Sequence, residues 1–204
     1  MDMISIRRSV VLASKTLDPP SDEYTYVEYI ESSGTQYLKT GYTPVQDDEI
    51  DIGVYYNGAL GCVFSAGTGT YQLLFLQDAY NYWKYFASGS AKYWSSEIPI
   101  GSWQTIHVAK TGILTLNNIA SEQSTYMNAI DGNDPFLRVF CRANGTSFAR
   151  CRISHFTITN NGVTKLNLMP CYRVSDSEIG MFDTVSKRFY TNAGTGTFTK
   201  GQDL

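Results

Sequence analysis

The stretch AYNYWKYFASGSAKYW (Ala79–Trp94) gathers Tyr80, Tyr82, Trp83, Tyr85, Phe86, Tyr93 and Trp94. These side chains carry no nucleophile and no general acid or base. What they offer is stacking area with polar tips, which suits a sugar ring or a protein partner. On a strand, successive side chains point to opposite faces. Trp83 and Tyr85 therefore share one face, while Tyr80, Tyr82 and Phe86 share the other. One face must fill a core. The other is either exposed as a platform or covered by a long loop. Asn81 and Lys84 stand close enough in sequence to donate hydrogen bonds to hydroxyls. The candidate ligand platform is Tyr80, Asn81, Tyr82, Trp83, Lys84, Tyr85 and Trp94.

Other residues with chemical potential are more scattered. Glu49 and Asp51 alternate with Ile50, Ile52 and Val54, which reads as an outward polar row on a strand, facing an edge, with an apolar row turned inward. His107 and His155 each stand alone in an alternating stretch, and neither neighbours a nucleophile elbow. Asp131-Gly132-Asn133-Asp134 presents oxygen ligands for calcium, but without a twelve-residue EF loop, and turn formation accounts for the same residues. No cofactor is expected. The pentapeptide AGTGT occurs at Ala66–Thr70 and Ala193–Thr197. Neither copy opens a helix or carries the lysine of a phosphate loop, so the convergence of amides on an anion is missing. Both copies read as turns in which glycine supplies a positive φ.

Those residues must be held by strands. Charged residues make up 17% of the chain, against a usual figure of about 25%, and Tyr, Phe, Thr, Gly and Asn are abundant. That balance favours strands and turns. Strand signals recur every 8–12 residues from Tyr24 onward, the spacing of a sandwich or barrel. TIHVAK (Thr105–Lys110) and ILTLNN (Ile113–Asn118) join at Thr111-Gly112. FLRVFCR (Phe136–Arg142) and SFARCRISHFTIT (Ser147–Thr159) flank Asn144-Gly145, a strong hairpin signal. Asn160-Asn161-Gly162 turns the chain into VTKLNLMPCYR. The stretch Ser121–Asn133 is expected to form a short helix or a long loop. Residues 1–22, ending in Pro19-Pro20 and Asp22, read as an arm and linker, and residues 23–204 as one domain.

Net charge is −3 with no basic block, which sets nucleic acid aside. No apolar run reaches the length of a membrane helix. The run Val10–Ala13 is too short for a secretory core segment. Cys62, Cys141, Cys151 and Cys171 show no CxxC spacing. Four buried free thiols are expected, as in a reducing cytoplasm.

The two ends of the domain carry a specific signature. YVEYIESSGTQYLKTGYTP (Tyr26–Pro44) opens it, and LMPCYRVSDSEIGMFDTVSKRFYTNAGTGTFTKG (Leu168–Gly201) closes it. Together they resemble the concanavalin A-like, laminin-G-like jelly-roll modules of bacteriophage structural proteins and gut-bacterial surface proteins. Leu38-Lys39 stands where Ile-Asp is common, and Ser177 replaces the glycine after Asp176. The resemblance implies an all-β, two-sheet antiparallel jelly-roll sandwich over roughly residues 24–201. In the closing motif, the apolar pairs Met181/Phe182 and Phe189/Tyr190 imply two short strands around Asp183–Lys187.

DEIDIGV (Asp48–Val54) resembles the E-I-D-x-x-E strand of the jelly-roll glucanases. A retaining glycosidase sets two carboxyls about 5–5.5 Å apart. Glu49 and Asp51 match the first two acids, and the last falls on Gly53, Val54 or Tyr55, none of them a carboxylate. The expectation is a non-enzyme. The resemblance implies a phage virion structural protein, such as a capsid-decoration, fibre or tail component assembled in the bacterial cytoplasm. It would meet other virion subunits through the residue 1–22 arm, form a homo-oligomer and present a face to glycans. The alternative is a carbohydrate-binding or adhesion module of a bacterial cell-surface protein. A glycoside hydrolase is opposed by the missing acid.

Overall fold

The structure is a computed structural model that describes residues 22–57, 61–68, 72–77, 83–87, 90–93, 99–124, 130, 132 and 134–204. Of the expected arm at residues 1–22, residues 1–21 lie outside them. In chain order the strands are β1 (Tyr24–Tyr26), β2 (Ile30–Glu31), β3 (Leu38–Lys39), β4 (Asp48–Tyr56), β5 (Cys62–Ala66), β6 (Leu73–Gln77), β7 (Trp83–Ala87), β8 (Ser90–Tyr93) and β9 (Ser102–Val108). They continue as β10 (Ile113–Leu116), β11 (Ile119–Ser124), β12 (Arg138–Val139), β13 (Cys151–Asn160), β14 (Val163–Arg173), β15 (Ile179–Asp183), β16 (Arg188–Thr191) and β17 (Thr199–Lys200).

Among the described residues these strands form the two antiparallel sheets of a jelly-roll sandwich, the fold class expected. The larger sheet runs β11-β10-β9-β4-β13-β14-β15-β16, with β1 on β14 and β2 bridging β13 and β17. The smaller runs β3-β12-β5-β6-β7-β8. Alternation explains the layering. Ile50, Ile52 and Val54 of β4 point inward with no exposure, as do Ile153, Phe156 and Ile158 of β13. Inward rings join the sheets: Phe64 stacks on Phe75, Phe75 stacks on Trp83, Trp83 meets Tyr56, and Phe64 meets Phe156 edge-on. Such offset and edge-to-face pairs add to the area that the rings bury.

Two hairpins form where the sequence places them. Gly112 (φ 76°) turns β9 into β10, and Asn161 (φ 49°) with Gly162 (φ 77°) turns β13 into β14. A third connection differs. The turn at Asn144-Gly145 is made, with Gly145 N–H donating to Arg142 O. Its immediate flanks pair, Arg142 N–H donating to Thr146 O and Ala149 N–H to Phe140 O, but the strands beyond them part: β12 pairs with β3 and β5 in the small sheet, while β13 lies in the large one. Phe140, at φ 74°, follows β12 directly, its N–H donating to Val63 O of β5 and its O accepting from Ala149 N–H. Within Ser121–Asn133, where a short helix or long loop is expected, Ser121–Ser124 belongs instead to strand β11, and residues 125–129, 131 and 133 lie outside the described residues. Asn117 (φ 48°) and Asn118 (φ 68°) adopt the left-handed conformation a tight hairpin needs and fold β11 back on β10.

The opening and closing motifs fit each other. Thr35 donates its hydroxyl to Thr195 O, Tyr37 N–H donates to Asn192 Oδ1, and Ala193 N–H donates to Tyr37 O. A Cβ on Gly194 would collide with Thr35 O. The second AGTGT is thus the turn that lies against SSGTQY. In the first copy, Gly67 takes φ 74° directly after β5, and Gly69 and Thr70 lie outside the described residues.

Candidate functional site

Strands β9, β4 and β13 lie side by side at the centre of the large sheet, and their outward residues form a grid. In the first row Tyr55 is opposite Trp103 on one side and Arg152 on the other, and Arg152 is opposite Glu31 of β2. In the second, Gly53 is opposite Thr105 and His155. In the third, Asp51 is opposite His107 and Thr157. The polar row of β4 is therefore central in its sheet rather than facing an edge.

The first row is an aromatic cluster. Trp103 is 39% exposed. Its ring lies 5.6 Å from Tyr55 and 5.9 Å from Tyr29, both tilted or edge-on. The Arg152 guanidinium sits 4.8 Å from the centroids of both Tyr29 and Tyr55, within cation–π range. Arg152 Nε donates to Glu31 Oε2 at 3.1 Å. Tyr29 is fixed from the other side by the C-terminal segment. Gly201 N–H donates to Tyr29 O, and a Cβ on Gly201 would come within 2.7 Å of the Tyr29 ring. The rings thus form a braced surface with a salt-bridged polar centre.

The third row holds an acid–imidazole pair. His107 Nδ1 lies 3.0 Å from Asp51 Oδ1, both side chains being partly exposed. The middle row explains why no third carboxylate stands here. A Cβ on Gly53 would collide with Ser154 Oγ and approach His155 Cε1 at 2.7 Å. A register shift between Ile153 and His155 inserts Ser154 and turns both side chains over Gly53. Ser154 Oγ and His155 Nδ1 are 3.1 Å apart. Burial pushes the His155 imidazole below its ordinary value, against the opposing pull of Asp51. With Asp51 tied to His107 and Gly53 covered, the row suits hydrogen bonding to hydroxyls.

The aromatic stretch singled out in the sequence falls elsewhere. Trp83 and Tyr85 of β7 are each 1% exposed and fill the sandwich interior. Trp83 Nε1 donates to Gln104 Oε1 at 2.9 Å, and Gln104 in turn donates to Pro99 O. Burial carries the Tyr85 hydroxyl far above its ordinary pKa. Neither side chain faces solvent, so neither can stack on a ligand at the surface. The alternation that groups them is the one expected; their face is the inner one. Lys84 and Phe86 take the outer, partly buried positions. Tyr80, Asn81, Tyr82 and Trp94 lie outside the described residues.

Asp134, the last of the suggested calcium ligands, accepts from Lys39 Nζ at 3.0 Å and from Arg138 at 2.5 Å. Burial tends to raise its pKa, but those two cations hold the carboxyl below its ordinary range. Two basic neighbours make it a poor cation ligand, and Asp131 and Asn133 lie outside the described residues. All four cysteines are buried and free.

Sequence reasoning did not single out Trp103, Tyr55, Tyr29 or Arg152. Trp103 carried a usable signal, since in SWQTIHV it shares a face with Thr105 and His107. The partnership of Asp51 and His107 spans 56 residues and follows only from the β4–β9 register.

No protein-family model matches the sequence, and no curated protein matches it significantly. Among solved structures, the fold is similar to that of a Bacteroides ovatus protein that is itself proposed to bind carbohydrate. The TM-score is 0.55 at 11% identity, covering 88% of this chain and 62% of that one. The chain thus spans less than two thirds of that protein's length. A heptameric SAP-like pentraxin from Limulus polyphemus aligns over 69% of this chain and 77% of its own, at 12% identity and TM-score 0.42. At that score the second overlap does not fix a shared fold.

Proposed function

We propose that this chain is a non-enzymatic carbohydrate-binding module, of the kind used for adhesion at a bacterial cell surface, and that it holds glycans on the outer face of its large sheet. The observation that carries this is the exposed Trp103 braced by Tyr55 and Tyr29 beside the Arg152–Glu31 pair. An apolar sugar face stacks on such rings while the surrounding polar groups take its hydroxyls. The description of the similar Bacteroides ovatus protein points the same way. Against hydrolysis stands the strand itself: the last acid of the E-I-D-x-x-E pattern falls on Gly53, Val54 or Tyr55, none of them a carboxylate, and at Gly53 Ser154 and His155 leave no room for a side chain.

The virion reading rests on the opening and closing motifs and on an arm outside the described residues. It is compatible with sugar binding, since repeated copies on a particle would raise avidity without new contacts. The test is a glycan array probed with the multivalently displayed protein and with its Trp103→Ala variant. Binding by the wild type that falls about tenfold or more in the variant is expected. A blank array, or binding that ignores the substitution, contradicts the proposal.

A further inference from the structure

The grid on β9, β4 and β13 continues past the aromatic row. Resting on the glycan reading, we infer that the site takes a neutral, linear oligosaccharide of about three units laid along β4, stacked at Trp103 and hydrogen-bonded at its far end by Asp51 and His107. Three observations carry this.

The first is length. From Tyr55 to Asp51 the strand advances four residues, about 13 Å, which matches a run of about three pyranose units. The second is relief. The middle row has Gly53 in place of a side chain, with His155 lying low across it and exposed Thr105 at its border. A chain lying on Trp103 can therefore continue over this row to the third. The third is charge. Glu31, Glu49 and Asp51 face this patch against the single guanidinium of Arg152, which Glu31 already engages. His107 is paired with Asp51. Burial disfavours the charged form of His155. The nearest further cations are Arg150, just before β13 with its side chain against Gly34, and Lys200 on β17, which is paired with Asp203; Lys110 lies beyond the end of β9 and Lys165 on β14, two strands from β4. Excess carboxylate repels uronates and sialylated or sulfated sugars.

The experiment is calorimetric titration of the full chain with linear gluco-, xylo- and manno-oligosaccharides of one to five units, and with oligogalacturonates. For at least one neutral series, affinity should rise about tenfold between the monosaccharide and the trisaccharide and then level off. Asp51→Asn and, separately, His107→Gln should erase the gain from the third unit. Trp103→Ala should weaken binding at every length. Oligogalacturonates should bind at least about tenfold more weakly than the neutral series. Thermal melts of each variant establish that it is folded. Length-independent binding, a gain that survives both third-row variants, or tighter binding of galacturonates overturns this inference and leaves the glycan reading standing. No binding of any saccharide by the wild type overturns both.

Discussion

Trp83 and Trp103 obey the same strand alternation and meet opposite fates. Trp83 is packed between Phe75 and Tyr56, with its N–H on Gln104. Trp83→Ala should cost about 3–5 kcal/mol, as large core truncations do, with an added penalty for the orphaned Gln104 oxygen. Trp103→Ala removes an exposed ring and should cost about 1 kcal/mol or less. Urea unfolding of the two variants separates these outcomes. His155 supplies a pH signature. Burial holds its folded pKa below the unfolded value of about 6.5. The unfolded chain therefore binds the proton first as pH falls. Stability should be unaffected by this group above about pH 6.5 and should decline below it, toward the lower folded pKa. His155→Gln should flatten that decline in urea midpoints taken from pH 7 to 5.

At the scale of elements, the sequence is legible wherever one hairpin stays within one sheet. Thr111-Gly112 and Asn160-Asn161-Gly162 turn as their residues require. Asn144-Gly145 also turns and its immediate flanks pair, yet the strands beyond them enter different sheets, because β12 finds partners in β3 and β5 that no local pattern reveals. The same limit hid the site. The outward setting of Glu49 and Asp51 follows from alternation in β4, whereas their neighbours Trp103, His107 and Arg152 arrive by long-range register. The aromatic stretch attracted notice by density, but density is also what a core between two sheets demands. Close backbone approach is the other constraint on elements. A Cβ on Gly180 would strike Tyr190 O across the β15–β16 pair. Gly180→Ala should destabilise the protein by about 1–3 kcal/mol, as overpacking does, whereas Gly162→Ala, with open space around it, should cost only the strain of its positive φ. Thermal melts of the pair distinguish the two costs.

Across the whole molecule, the ends of the domain seal one another. β1 lies on β14, β17 lies on β2, and the residues of the opening motif grip those of the closing one. Both motifs were readable in sequence because each is a contiguous run of turn and strand residues that no other context explains. The interior they enclose has no covalent tie. Burial pushes the Cys141 thiol up to about 11 and the Cys62 and Cys171 thiols up to about 12. Ellman's reagent should accordingly find almost no reactive thiol in the native protein and all four in denaturant, and reducing agent should leave the melting temperature unchanged. The central claim concerns the outer face of the large sheet, and a nitrogen-15 NMR titration with the neutral oligosaccharides tests it most directly. The account predicts shifts in the Trp103 indole and in the amides of Gly53, Thr105 and Thr157, with the Trp83 indole unmoved. Shifts confined to residues 78–82 and 94–98, or none at all, would contradict it.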